Sequence, residues 1–378
     1  METLRDYQRE RALPWASSLP AATAVCLLLH LALWAYMPVL GGAEPPSDNV
    51  EELQWSSQLA WGYQKHPPMP SWIIHAFTRI FPSTITLTYA LGALQVGLMF
   101  GFAWLLGRQL LGARRAAVGM LMIACITFYT HRLHYTNHNT AMLVATAAAA
   151  LCAWNAHRSR ELRWWLALGV CWGLGMLSKY QMVVTIVCNL AFLWTRRPMQ
   201  LPRLVHGSAL AGIIALLLFA PHWQWVSQNG METVQYAMRY VEAEDTVMSR
   251  LLRIVSFSAD QALRLLPIFI WLLAVRGISR RYHPAVTTVA TEGHVQGDAA
   301  AFLAIHAFGP LLMMIALCLL AGLGLGMHWG TPFLWALPLW YLGTGAGTRF
   351  ASQSTRALLL GFLTIQALSV AEYMLRRL

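Results

Sequence analysis

Long apolar runs dominate the chain. They fall at about 20–40, 84–107, 116–130, 140–156, 162–178, 181–195, 204–221, 259–276, 300–322, 329–346 and 356–372. A helix needs roughly 20 apolar residues to cross the hydrocarbon core of a bilayer. The pattern predicts an all-α polytopic membrane protein with about eleven transmembrane helices, forming one domain over 1–378. Several runs are short, which predicts tilted helices or helices broken beside a cavity. Two longer polar segments, 41–83 and 222–258, interrupt the series as loops carrying interfacial helices. The N-terminal METLRDYQRERALPW mixes charges and has no small-residue cleavage site after a short apolar core, so the first span is expected to be retained.

Composition points the same way. Of 378 residues, 57% are hydrophobic and 11% charged, and the mean hydropathy is +0.48. Soluble domains carry about a quarter charged residues, so a soluble globule and a disordered chain are both excluded. The net charge is +11, and Lys65 and Lys179 are the only lysines. The arginines sit in short loops at 108–115, 155–163, 196–203 and 276–298. They mark a cytoplasmic face by the positive-inside rule rather than a nucleic-acid-binding stripe. The expected localisation is a bacterial inner membrane, with the opposite face in the periplasm. Arg376 and Arg377 break the rule, because eleven spans place them outside; this suggests a miscounted span among the last three. The six cysteines lie in apolar segments without a CxxC pair and read as packing residues.

Chemistry collects on the outer face. The first loop holds Asp48 just before an amphipathic stretch at 49–63, in which Trp55, Leu59 and Tyr63 recur at helical spacing. Asp48 is expected as the N-cap of that helix, and also as a general base at the membrane boundary. Glu51 and Glu52 fall in its first turn, where the helix dipole accounts for them. Lys65, His66, Pro67 and Pro68 then turn the chain sharply and present a cation and an imidazole beside the membrane. Lys179 ends a span in the segment LGMLSKYQMVV, followed by Tyr180. An ionisable residue at that depth needs a partner, and a lipid phosphate is the simplest.

The turn HRLHYTNHNT holds His131, His134 and His138 at spacings of three and four. That spacing could align three imidazoles for a metal. No nearby carboxylate offers a fourth ligand, so hydrogen bonding of a sugar or phosphate by Arg132, His134, Tyr135, Asn137 and Asn139 is favoured. No metal or other cofactor is expected. The loop from His222 carries Trp and Tyr at interfacial positions and reads as a lid or acceptor surface. The segment Tyr282–Asp298 shows no motif and reads as a linker.

Taken in order, these segments resemble the glycosyltransferase family 39 group. They are Asp48 with its following glutamates, His66-Pro67-Pro68, the Tyr135–Asn139 turn, Gly175 to Lys179, Pro221 to Trp225 and His328 to Pro332. That group includes protein O-mannosyltransferases and the aminoarabinose transferase of lipid A. The resemblance implies a GT-C fold, a polyprenyl-phosphate sugar as donor and an outer-loop aspartate as catalytic residue. It departs from the group at two places. Asn49 follows Asp48 where an acid is frequent, and Asn137 and Asn139 stand where many members carry an acid.

The resulting expectation is a glycosyl transfer on the periplasmic face. Asp48 would take the acceptor proton. Lys179, with His66, Lys65 or Arg132, would hold the donor phosphate. Glu51, Tyr63, His134, Tyr135, Asn137, His138, Asn139, Tyr180, His222 and His328 would line the substrates. The partners expected are the lipid-linked donor, membrane lipids, and a lipopolysaccharide, glycan or protein acceptor. One base acting directly implies inversion at the anomeric carbon. The rivals are a transporter or lipid flippase, and an acyltransferase working through His138 or His134. A transporter would show internal repeats, and none is evident.

Overall fold

The computed structural model describes residues 18–159, 161–196, 200–239, 246–282 and 295–376. The N-terminal segment expected to precede a retained first span, the loop residues Arg160, Arg197, Glu242, Glu244, Asp245 and Arg377, and most of the linker lie outside the described residues. Every long element is helical. Among the described residues, seven helices are long and apolar enough to cross a membrane: α1 (Leu19–Leu40), α4 (Ile85–Leu111), α7 (His138–Arg158), α10 (Leu201–Gln228), α12 (Val247–Tyr282), α13 (Gly297–Ala321) and α16 (Thr355–Leu375). The chain is therefore a multi-pass membrane protein.

The other four apolar runs take different forms. The run at 116–130 divides between α5 (Ala113–Ala124) and the single turn α6 (Phe128–His131). Those at 162–178 and 181–195 are α8 (Leu162–Ser178) and α9 (Met182–Arg196), of 17 and 15 residues. At 1.5 Å per residue both reach only about 25 Å or less. The run at 329–346 is a 3-10 turn (Met327–Gly330) followed by α14 (Ala336–Gly343) and α15 (Gly345–Ala351). Short interfacial helices complete the chain: α2 (Ser47–Trp55), α3 (Met69–Thr78) and α11 (Glu232–Met238). In the segment 222–258, residues to Gln228 continue α10 and those from Val247 begin α12, leaving α11 as the one short helix among its described residues.

Helix α7 forms the centre. Its run Ala147–Ala150 is buried throughout, because alanine lets neighbouring helices approach closely. Gly169 and Gly173 give α8 a similar small-residue face. A Cβ at Gly169 would lie 2.6 Å from the Ala211 carbonyl oxygen, so α8 and α10 pack almost backbone to backbone.

The segment between α5 and α7 is unwound, and unwound backbone inside a membrane protein must find partners. Each partner comes from another helix. Gln366 donates to the Ala124 carbonyl at 3.2 Å, and the Thr127 amide donates to the Arg264 carbonyl at 3.1 Å. The His30 ring bonds the Tyr129 carbonyl at 2.8 Å, and the Tyr129 hydroxyl donates to the Thr331 carbonyl at 2.7 Å. Helices α1, α12 and α16 thus hold the break open.

The ends of the helices settle the exception at Arg376. Arg114 donates to the carbonyls of Ala351 (2.8 Å) and Gln353 (2.6 Å), so the Arg-rich 108–115 loop and the α15–α16 junction share one end. Glu44, His131, Glu372 and Arg376 line one cavity at the other end. The end of α16 therefore lies beside the first polar loop, opposite the Arg-rich 108–115 loop, as an odd number of crossings requires. Glu372 pairs with His131 at 2.8 Å and with Arg376, which neutralises this arginine locally.

Gly92 sets the position of the unwound segment against α4. A Cβ there would stand 2.6 Å from the Leu133 carbonyl oxygen and 2.9 Å from that of Tyr135. Gly92→Ala is expected to destabilise the protein by about 1–3 kcal/mol, because backbone cannot swing aside as a side chain can. Gly101 meets nothing within 4 Å, so Gly101→Ala is expected to be neutral or to stabilise by about 0.5–1 kcal/mol. Thermal unfolding of both variants in one detergent checks the contrast.

Candidate functional site

Helix α2 starts at Ser47 because Pro46 fixes the preceding backbone. Asp48 is thus in the first turn rather than at the N-cap. Residues three apart share a face of a helix. Asn49 and Glu52 are buried, whereas Asp48 lines a cavity and Glu51 meets Lys65 at 2.5 Å. The expected helix over 49–63 stops at Trp55. Tyr63 returns by a chain turn to stack on Trp55, with centroids 5.4 Å apart.

Asn49 joins α2 to the unwound turn. Its amide donates to Thr88 Oγ1 (2.8 Å) and the His134 carbonyl (2.9 Å), and its oxygen accepts from the Thr136 amide (3.1 Å). Asn137 then caps α7. Its side-chain oxygen accepts from the amides of Asn139 (2.9 Å) and Thr140 (3.2 Å), completing a capping box. The same side chain donates to Asp48 Oδ2 at 2.6 Å. Two residues on, Asn139 Oδ1 accepts from Lys179 Nζ at 2.8 Å. The Lys179 ammonium also lies 5.3 Å from the Trp329 ring centre. The carboxylate and the lysine are thus both held by neutral amides at the start of one helix.

These groups line a cavity of about 540 Å³. Of the residues expected at the site, Asp48, Lys65, His66, Arg132, Tyr135, Asn137, His138, Asn139, Lys179, Tyr180 and His328 all face it. His66 packs on His138 with ring centres 3.8 Å apart. Burial, with Lys179, Lys65 and His328 nearby, pushes the His66 imidazole down to about 3, so it is neutral at pH 7. Burial likewise lowers His328, to about 4.

Four expected residues stand behind the cavity wall. Glu51 pairs with Lys65, which leaves that lysine already neutralised. Tyr63 accepts from Thr233 through its carbonyl at 2.9 Å. His222 bonds the Tyr180 hydroxyl at 2.8 Å and the Trp61 carbonyl at 2.6 Å, fixing Tyr180 in place. His134 packs edge-on against Tyr89 and lines a second cavity. The three imidazoles of the HRLHYTNHNT turn do not share a helical face. His131 ends α6, His138 begins α7, and the turn between them sends the rings apart.

The chain can now be set beside known proteins. Residues 65–225 match the family model described as dolichyl-phosphate-mannose-protein mannosyltransferase. The lipopolysaccharide core galacturonosyltransferase RgtA of Rhizobium johnstonii is 27% identical over 190 residues, which are 48% of this chain and 37% of RgtA. The crystal structure of ArnT from Cupriavidus metallidurans bound to undecaprenyl phosphate superposes with a TM-score of 0.62 at 15% identity, covering 91% of this chain and 62% of ArnT. The apo ArnT structure gives 0.61 at 16% identity. The fold is GT-C. This bears out the resemblance read from the ordered motifs. The chain spans less than two thirds of the length of both relatives.

Within this GT-C cavity the structure adds residues that the motifs did not single out. Gln181 donates to the Trp329 carbonyl at 3.0 Å, and Tyr236 from α11 faces the cavity across from His66. Glu52 differs most from expectation. It is 2% exposed and takes a hydrogen bond from Ser71. A dipole-stabilised surface acid was expected. Docking of the Asn49/Glu52 face carries it inside instead.

Burial, reinforced by the charges of Asp48 and Glu51, raises the Glu52 carboxyl to about 8. The folded protein therefore holds a proton that the unfolded chain releases above about 4.5. Stability must fall as pH rises between these values and level off beyond the upper one. Glu52→Gln removes this term. The difference in melting temperature, wild type minus Glu52→Gln, is expected to decline from pH 4.5 to 8. A difference that stays constant with pH would show Glu52 to be ionised in the folded protein.

Proposed function

We propose that this protein transfers a sugar from a polyprenyl-phosphate donor to a hydroxyl of an envelope lipopolysaccharide or glycan, with inversion. The observation that carries the proposal is the shared cavity of Asp48 and Lys179, each bonded to an asparagine rather than to an opposite charge. A carboxylate without an ion pair is available as a base, and a lysine without an ion pair is available to an anion. In the reaction the acceptor oxygen bonds to the anomeric carbon and gives its proton to Asp48. The bond from that carbon to the phosphate oxygen breaks, and its electron pair leaves on the phosphate. Lys179 stabilises the charge that develops there. His66 and His138 add hydrogen-bonding groups without adding charge. No metal or cofactor enters this scheme.

The comparisons support the lipid-linked donor and the envelope acceptor. ArnT was crystallised with undecaprenyl phosphate, and RgtA is named for the lipopolysaccharide core. A second feature supports a lipid-linked donor. An apolar cavity of about 640 Å³, lined by Met176, Ile186, Leu190, Trp194 and Phe219, lies beside the catalytic cavity and shares Val183 with it. A prenyl chain can leave the site by that route. The Arg-rich loops lie at the opposite end, which favours a periplasmic site in a bacterial inner membrane.

Asp48→Asn keeps the capability to accept from Asn137 but cannot take a proton. Turnover is expected to fall by about 10²–10⁴-fold with binding of polyprenyl phosphate retained. Lys179→Ala is expected to lose binding of polyprenyl phosphate itself while remaining folded. Unchanged lipid affinity in folded Lys179→Ala protein would remove the donor assignment. Near-normal turnover in Asp48→Asn with abolition in His138→Ala would point to acyl transfer.

A further inference from the structure

His138 opens α7 and lines the catalytic cavity, yet one of its ring nitrogens meets no protein partner. Which nitrogen carries the proton follows from its neighbours. Lys179 Nζ donates to Asn139 Oδ1 at 2.8 Å, so the amide nitrogen of Asn139 points the other way. Reversing that amide would set its N–H groups against those of Lys179. In the orientation it takes, the Asn139 nitrogen lies 3.0 Å from His138 Nε2. An amide NH2 only donates, and an imidazole nitrogen accepts only when it bears no proton. Nε2 is therefore bare, the ring is neutral, and its single proton sits on Nδ1.

The Nδ1–H defined in this way is buried and bonds to nothing in the protein. His138 as a whole is 6% exposed. A buried donor left bare is costly, and a ligand that brings an oxygen to it removes the cost. The setting narrows the choice of ligand. Lys179 is joined to His138 through the single amide of Asn139, and both residues line the one cavity. Two N–H donors linked in this way suit a phosphate, which has several oxygens to accept them.

We infer that Asn139 is a positioning residue that holds the proton of His138 on Nδ1, and that this N–H binds an oxygen of the donor's phosphate beside Lys179. The inference rests on the glycosyl-transfer reading. It adds a second phosphate contact and the residue that aims it. The His66 ring stacks on His138 with centres 3.8 Å apart, so it turns aside as the phosphate enters, a side-chain movement of a kind common on binding. The contact is made to the phosphate of donor and product alike. Its loss therefore raises KM for the donor more than it lowers kcat.

Two measurements on the whole chain in lipid nanodiscs test this. The first is nitrogen NMR of isotope-labelled histidine, with the His138 signals identified by their loss in His138→Gln. The wild type is expected to carry the proton on Nδ1. In Asn139→Asp the side chain only accepts, so Nε2 should become protonated. The helix cap survives that change, because it uses the backbone amide of residue 139. A proton on Nε2 in the wild type, or a bare Nε2 in Asn139→Asp, would overturn the inference. The second measurement is binding of undecaprenyl phosphate, which carries no sugar. The amide nitrogen of an asparagine falls where Nδ1 stands, and that of a glutamine where Nε2 stands. His138→Gln is therefore expected to weaken binding by about tenfold, the loss of one hydrogen bond to an anion. His138→Asn should restore most of it. Equal affinity in the two variants would overturn the inference, including the case in which both match the wild type because His138 reads the sugar. The two readings separate on the wild type. Failure of the wild type to bind undecaprenyl phosphate removes the donor assignment, whereas binding that ignores His138→Gln removes only the role of His138.

Discussion

Everything at this site depends on two asparagine amides at the start of α7. Asp48 and Lys179 carry opposite charges and face one cavity. Left to themselves in a low-dielectric setting, such a pair would close into a salt bridge and lose its chemistry. Asn137 holds the carboxylate and Asn139 holds the ammonium, each by one hydrogen bond to a neutral group. The asparagines are two residues apart on a capped helix terminus, so the spacing of the two charges is set by backbone and not by rotamers. The capping box that starts α7 and the support of the base are one hydrogen-bond network.

That terminus exists only because the preceding backbone is unwound. An unwound segment among membrane helices leaves amides and carbonyls to be satisfied, each at a cost of several kcal/mol if it is not. His30, Gln366 and Asn49 meet this need from three different helices, and the Arg264 carbonyl from a fourth. These polar residues sit far apart in sequence and do not line the catalytic cavity. Their work is to keep a break in the helical bundle at the depth where the cavity forms. Gly92 completes the arrangement by allowing α4 to lie directly against the turn.

Much of this was legible in the sequence, and the reasons are physical. Hydrophobic runs report the membrane class because the bilayer imposes length and composition on each span. Asp48, Lys65, His66 and Lys179 stood out because charges are rare in this chain, so each needs an explanation. The misread features share a different cause. His131, His134 and His138 have helical spacing but lie across a turn, and spacing alone cannot reveal a break held open by distant helices. Glu52 looked like Glu51, since which face of α2 is buried depends on what Asn49 bonds. Arg376 looked like a topological error because its partner Glu372 lies one turn away on the same helix, outside any count of basic loop residues.

The physical sense of Asn49, Asn137 and Asn139 follows from replacing each with an acid of the same shape. A carboxylate at Asn139 would pair with Lys179 and neutralise it. One at Asn137 would repel Asp48 at 2.6 Å and force a proton between them. One at Asn49 could accept from Thr136 but could not donate to Thr88 and His134, and the clamp on the turn would be lost. With amides in all three positions, Asp48 and Lys179 each keep a neutral hydrogen-bond partner, and the turn keeps its donors. Asn137 and Asn139 line the cavity, so an anion bound there meets less repulsion than two carboxylates in those positions would offer.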